Sequence, residues 1–417
     1  MLQILYSILI RLCLPFILLR LWWRGRRAPG LRQDWWHRLG YAPRLDGRVV
    51  WVHAVSVGET IAAGPVVRRL LERDDGTTVL MTATTDTGMA QARRMFGDRV
   101  RYAYAPYDTP GAVRRFLARV RPAVLVILET EIWPTMILQC RQRQVPVLLI
   151  NARLSERSAR GYERVGRLAK PVLQSIDWVA AQAEADAERF RLIGVPPGRV
   201  SVTGTIKFDV DIPEAVRHAA QDLKAQIGQR PVWIGGSTHA GEDGQLLFAH
   251  EQLLAQHPDA LLILVPRHPD RFETVATKVA AHGLSLARRS LAQPPVTAQV
   301  YLGDTMGELM ALYGASDVAF VGGSLVPRGG HNPLEPAAWG VPVLSGPHVF
   351  NFETVYHTLE AGGGVRVVSD ADALAGVLLD WFGHRKVREQ VGQHARQVVD
   401  HNRGALAQVV KGIVGRL

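Results

Sequence analysis

Cysteine is nearly absent from this sequence, with two in 417 residues. Cys13 sits in an apolar N-terminal stretch and Cys140 stands far downstream, so no disulfide framework is expected and a reducing compartment fits. Acidic residues are in deficit as well, 38 Asp and Glu against 49 Lys and Arg, which leaves a net charge of +11. A surplus of that sign points to an anionic partner: nucleic acid, an acidic membrane surface or a phosphorylated substrate. The interleaving of aromatic and basic residues typical of single-strand binders is missing, so the charge is not read as a nucleic-acid footprint. Internal repeats and low-complexity tracts are absent too. At this length one hydrophobic core does not suffice, and two domains are expected.

One long hydrophobic run is present. Residues 1–23 are nearly all apolar and are followed by Arg24, Arg26 and Arg27. The segment lacks the small-residue cleavage site of a removable leader. A spanning helix needs about 20 apolar residues and would have to carry Arg11 near its middle. Gln3, Ser7 and Arg11 recur every fourth position, which suits a helix lying in the membrane interface. Spanning and interfacial modes both stand at this point, with Arg11 facing either the interface or the protein body. The basic flank places the body on the cytoplasmic side in either mode.

From Arg48 onward, continuous apolar runs alternate with helical patterns, the signature of parallel strands covered on both faces. Seven runs, from Val49 to Thr203, form one set, and six, from Val232 to Val368, form another. The reading is an α/β chain with residues 1–27 as a membrane-associated helix. Residues 28–207 then form a first doubly wound domain, 208–230 a linker, and 231–417 a second doubly wound domain.

Several stretches carry candidate chemistry. Ser56-Val57-Gly58-Glu59 follows the first strand and opens a helix, where Glu59 is placed for general-base work. Equally, a helix N-terminus stabilises an acidic residue and depresses its pKa, which would weaken a base. Glu129 and Glu131 end the most apolar strand, and alternation along an extended chain points both one way. Arg153, Arg157, Arg160, Arg164 and Arg167 are spaced to share one helical face, read as a solvated stripe or an anion-recognition surface. Lys207, beside the expected domain boundary, is either a surface lysine or a stabiliser of a leaving phosphate. Asp209 and Asp211 superficially match an acidic metal-binding triplet, but no other acidic cluster accompanies them.

In the second half, Pro266-Arg267-His268-Pro269 ends a strand, and Met306-Gly307-Glu308 opens a helix. Gly322-Gly323 and Gly329-Gly330 then precede His331-Asn332-Pro333-Leu334-Glu335, with Asn332 suited to an N-cap and Pro333 to the first helical position. Free N–H groups there would favour a phosphate, and Glu335 would reach ribose hydroxyls. One nucleotide pocket accounts for these pieces together.

These motifs, SVGE at 56–59, ETEIWP at 129–134, NARLSERS at 151–158, PRHP at 266–269, GDTMGEL at 303–309 and GGHNPLEPA at 329–337, closely resemble the 3-deoxy-D-manno-octulosonic acid (Kdo) transferases of Gram-negative bacteria. The resemblance covers nearly the whole chain in the family's order. It implies a GT-B glycosyltransferase with two facing Rossmann-like domains. The implied reaction moves Kdo from CMP-Kdo to a tetra-acylated, phosphorylated lipid A precursor at the inner membrane, with inversion and without a metal or cofactor. Glu59 matches the family's proposed base, and Glu129 and Lys207 match positions thought to stabilise the transition state. Pro266, Arg267, Met306, Gly307, Glu308, Asn332, Pro333, Leu334 and Glu335 match its CMP-contacting segments. Two alternatives follow from the same fold: a GT-B enzyme that uses a UDP-sugar, and a non-catalytic lipid-binding protein of the membrane.

Overall fold

A computed structural model describes residues 2–26 and 34–417, so Arg27 of the basic flank lies outside the described residues. The chain divides into two units, Met1–Lys207 with Arg403–Leu417, and Phe208–Asn402. The first holds β1 (Val49–His53), β2 (Thr78–Ala83), β3 (Arg101–Tyr104), β4 (Val124–Leu128), β5 (Val147–Ala152), β6 (Trp178–Ala181) and β7 (Val200–Val202). Its sheet runs β3-β2-β1-β4-β5-β6-β7, and the paired strands are parallel. The second holds β8 (Val232–Thr238), β9 (Leu261–Pro266), β10 (Leu286–Arg288), β11 (Val300–Leu302), β12 (Val318–Val321), β13 (Val343–Ser345) and β14 (Val365–Val367). Its order is β10-β11-β9-β8-β12-β13-β14, again parallel. Strand β10 had no counterpart among the apolar runs, because Leu-Ala-Arg is too short and too polar to register as one.

Alternation along each strand explains the layering. Val49 and Trp51 enter one core, while Val50 and Val52 enter another on the opposite face. The second unit repeats this, Leu262 and Leu264 on one face, Leu261, Ile263 and Val265 on the other. A strand buried on both faces must be apolar at every position, which is why these segments read as unbroken runs. Truncating one such residue, for example Ile127→Ala, costs about 2–5 kcal/mol through lost burial and the cavity left.

Two expected boundaries are corrected. Residues 208–230 are not a free linker: Phe208 and Ile212 are buried in the second unit, and the helix Glu214–Ile227 sets Leu223 and Ile227 against its sheet. Nor does the second unit run to 417. The helix Ala405–Val414 returns to the first unit and buries Ala405, Leu406, Val409 and Ile413 with Val50, Val66 and Val67. Gly412 lets it approach, since a Cβ there would lie 2.3 Å from the Trp178 ring.

The N-terminal helix, Leu2–Arg24, turns half-buried Tyr6, Ile10, Leu14, Leu18 and Leu21 to one side and leaves Leu12, Phe16, Leu19, Trp22 and Trp23 exposed. Tyr6 Oη donates to Asp108 Oδ2 at 2.8 Å, tying the helix to the first unit. Arg11 is exposed rather than buried in the body, and the side chains of Gln3 and Ser7 lie outside the described residues. Among the described residues no helix is long and apolar enough to cross a membrane.

Candidate active site

In the first unit the chain runs outward from β1 through β2 to β3, then restarts with β4 on the other side of β1. Open α/β sheets bind ligands at the carboxyl ends of the strands flanking such a reversal. Glu59 follows β1 and Glu129 follows β4, so the topology itself brings these two acids to one crevice.

Ser56 starts the helix Val57–Leu71 by accepting the Glu59 N–H on its Oγ at 3.3 Å. The Glu59 carboxylate folds back, taking the Val55 N–H on Oε2 at 2.7 Å and the Ser56 hydroxyl on Oε1 at 3.0 Å. This is a variant of the capping box in which the carboxylate takes the N–H before the N-cap instead of the N-cap's own, and it fixes a residue only 8% exposed. Burial pushes the Glu59 carboxyl up to about 7, against those two hydrogen bonds and with further help from the negative charges of Glu131 and Glu129. The helix terminus alone would shift it the other way. Desolvation of a carboxylate outweighs a terminal dipole when the group is buried.

Glu129 takes a left-handed backbone, φ 57°, and so does its neighbour across the sheet, Asn151, φ 50°. The strand β4 ends at Leu128 and Glu129 already belongs to the turn, so alternation is not what gathers the acids; the turn is. Glu131 is held by the Trp133 indole N–H at 2.9 Å. Asn151 is fully buried, and its Oδ1 accepts from Thr205 Oγ1 at 3.1 Å and the Ile206 N–H at 3.3 Å, which pins the turn carrying Lys207. Burial lowers the Lys207 ammonium, Glu129 opposes this, and Arg153 adds to it. Glu59, Glu129, Glu131, Lys207 and Arg153 thus form one electrostatic cluster. The expected arginine stripe is broken up: Arg153 precedes the helix Glu156–Arg164, which ends before Arg167, whose side chain lies outside the described residues.

The second unit reverses between β8 and β12. Arg267 follows β9, and the glycine loop with Asn332, Pro333, Leu334 and Glu335 follows β12. Asn332 Oδ1 accepts the Leu334 N–H at 3.1 Å while its Nδ2 donates to Glu335 Oε1 at 3.3 Å. Pro333 already has helical angles although the regular helix starts at Leu334, so the capping works as the sequence suggested. Burial raises the Glu335 carboxyl, with Asn332 and the nearby Arg267 opposing. Pro266 ends β9 itself. Met306 and Gly307 come in beside them through the adjacency of β11 and β9, Met306 exposed and Gly307 at φ 88°. Glu308 is occupied, gripped by Arg289 at 2.7 and 2.5 Å and by Thr305.

The glycine loop is not the open cradle its sequence suggested. Glu242, fully buried at the start of the helix after β8, accepts the N–H groups of His239, Gly323, Ser324 and Leu325 at 2.8 to 3.0 Å. The amides of Gly330 and His331 bond to the carbonyls of Gly323 and Gly322. Sequence reasoning missed Glu242, and missed His239, whose Nε2 lies 2.9 Å from His331 Nε2. A signal was available: Glu242 follows the first strand of its unit and stands at the N-terminus of the next helix, as Glu59 does in the first unit. Among the described residues, no three His, Cys, Asp or Glu side chains are grouped to hold a metal ion.

Comparison with known proteins adds the family. Residues 33–210 match the family model described as 3-deoxy-D-manno-octulosonic-acid transferase (kdotransferase). The 3-deoxy-D-manno-octulosonic acid transferase of Haemophilus influenzae is 39% identical over 413 residues, 97% of this chain and 96% of that protein. The chain belongs to the Kdo transferase family. The enzyme of that name from Bordetella pertussis is 38% identical over 98% of each chain. This Kdo transferase is accordingly a glycosyltransferase. Its fold is GT-B-like, with two Rossmann-like units, and UDP-GlcNAc 2-epimerase from Neisseria meningitidis shares it at a TM-score of 0.56 and 16% identity, covering 88% of this chain and 100% of that one.

Proposed function

We propose that this Kdo transferase takes Kdo from CMP-Kdo and places it on a phosphorylated, tetra-acylated lipid A precursor, by a single inverting displacement that needs no metal or cofactor. The observation that carries the reading is the Glu59 carboxyl, fixed by two hydrogen bonds and pushed up to about 7 at the strand ends of the first unit. A base matched to neutral pH accepts a hydroxyl proton most effectively there. In the proposed step Glu59 takes the proton of the acceptor hydroxyl as its oxygen attacks the anomeric carbon of Kdo. The bond from that carbon to the phosphate oxygen breaks, and CMP leaves with the electron pair. Lys207 and Glu129 hold charge around the transition state, Lys207 countering the phosphate. Arg267, with Pro266, Met306, Gly307, Glu308, Asn332, Pro333, Leu334 and Glu335, is assigned to the nucleotide.

The acceptor assignment draws on the membrane character of the N-terminal helix. Its exposed Leu12, Phe16, Leu19, Trp22 and Trp23 suit burial at a lipid interface, and exposed Arg11 and Arg20 suit anionic headgroups. We place the enzyme on the cytoplasmic face of the inner membrane by this helix. The test incubates the detergent-solubilised protein with CMP-Kdo, the lipid A precursor and a chelator, and follows the lipid by mass spectrometry. Added Kdo mass is the expected result. Transfer from UDP-sugars alone would overturn the donor, and transfer only after divalent cations are restored would overturn metal independence.

A further inference from the structure

Three histidines meet at the strand ends of the second unit, and two of them are joined. His239 and His331 have nearly parallel rings, 7° apart, with centroids 5.1 Å apart and Nε2 atoms 2.9 Å apart. That centroid spacing matches two coplanar rings bonded head to head through Nε2, so this is an N–H···N bond rather than face-to-face stacking. Such a bond holds one proton between two acceptors, and the pair is neutral. A second proton would make it an imidazolium bonded to an imidazole.

The surroundings set when that happens. The His268 ring stands edge-on to His239 at 5.5 Å. Burial is the main force against a further positive charge on either ring, and His268, Arg328, Arg271 and Arg267 add to it at His239, as Arg267 and His268 do at His331. Arg271 is neutralised by Asp243. The acid that reaches this loop, Glu242, spends its oxygens on backbone N–H groups, including that of His239. Tyr356 donates to the His331 carbonyl at 3.2 Å and fixes that side of the pair. Gly323 leaves room for both rings: a Cβ there would lie 3.2 Å from His331 Cδ2 and 3.4 Å from His239 Cδ2. Arg267, His268 and Arg328 are exposed around the half-buried pair. The result is a cationic rim around a proton-accepting centre that lacks its own counter-charge.

We propose that the His239–His331 pair is a phosphate-type oxyanion subsite that takes up one proton as the anion docks. The anion supplies the missing negative charge, so the proton that burial and the arginines exclude from the empty pair becomes favourable in the complex. By linkage, affinity then falls as pH rises, by at most tenfold per unit for one proton. The assignment of the anion as the nucleotide's phosphate rests on the donor reading above.

The experiment is isothermal titration of the full chain in detergent with CMP, cytidine and inorganic phosphate. It runs from pH 7 to 8.5, above the second ionisation of a phosphate monoester near 6, in phosphate-free buffers of different ionisation enthalpy. Expected are uptake approaching one proton per CMP at pH 7 and a weakening of CMP with pH, with neither effect for cytidine. In His331→Gln and His239→Gln both effects disappear. Nitrogen shifts of labelled histidines in the wild-type chain provide a readout free of variants, showing two ring N–H protons on the pair without CMP and three with it. CMP binding with no proton uptake overturns the proposal and leaves the donor reading standing. Uptake with inorganic phosphate while CMP fails to bind supports the subsite and sinks the donor reading. Absence of binding by both overturns the two together.

Discussion

Replacing Glu59 with Gln separates the cost of burying the carboxyl proposed as base from its use. The folded state raises this group from 4.5 to about 7, chiefly by burial. At 1.36 kcal/mol per pH unit the ceiling on its contribution is about 3 kcal/mol. A raised folded pKa means that the folded chain holds a proton that the unfolded chain has lost. The stabilising contribution is therefore complete below 4.5 and fades as pH rises through about 7. Glu59→Gln keeps the shape and an acceptor for the Val55 N–H but has no charge to bury. Urea denaturation of both proteins at pH 5, 6, 7 and 8, followed at the transition of the first unit, should show the variant gaining on the wild type by about 2–3 kcal/mol across the series. Over the same range wild-type kcat/KM should rise through a pKa near 7, while the variant transfers no Kdo at any pH and still binds CMP. A stability difference that stays flat from pH 5 to 8 would refute the buried-carboxyl argument, and with it the reason for naming Glu59 the base.

Three further outcomes are expected. Asn151→Ala frees the turn that carries Lys207, so kcat should fall by about 10- to 100-fold, or ~1.4–2.7 kcal/mol, with KM little changed; an equal loss in both would mean general unfolding. Glu242→Ala leaves four backbone N–H groups without their acceptor, which should cost at least about 3 kcal/mol. Thermal melts with and without CMP check this, and Glu242→Gln should lose less. Removing residues 404–417 strips Leu406, Val409 and Ile413 from the first core, about 1.5–3 kcal/mol for each large side chain. Limited proteolysis should then digest the first unit and spare 208–402.

Much of the scaffold was legible because burial on both faces leaves a simple trace. Unbroken runs such as Val124–Leu128 and Leu261–Pro266 mark central parallel strands, and the reversal of strand order then places Glu59 and Glu129 at one end of a sheet. Local capping was legible too, since Asn332 and Ser56 act within a few residues of themselves. The protonation of Glu59 was not, because the shift comes from burial and from Glu129 and Glu131, seventy residues downstream. Glu242 escaped for a related reason: three of its four amide partners are residues 323–325, supplied by a different strand connection. Glu59 and Glu242 sit at matching points of their units, yet one carboxylate anchors a loop with four amides while the other holds two short local bonds. Nothing in their flanking residues separates those roles. The helix Ala405–Val414 has the right amphipathic spacing, but periodicity reports that a face is buried and is silent on which core buries it.

That returning helix also imposes an order on synthesis. Residues 208–402 are enclosed in sequence by the two parts of the first unit, so they leave the ribosome whole while the first core still lacks one of its layers. At about 5–20 residues per second, the roughly 200 residues after Lys207 take on the order of 10–40 s to appear. For that interval the apolar face of Val50, Val66 and Val67 that will receive Leu406 and Val409 is uncovered. The unit carrying Glu59 is therefore completed only after the unit it encloses in sequence.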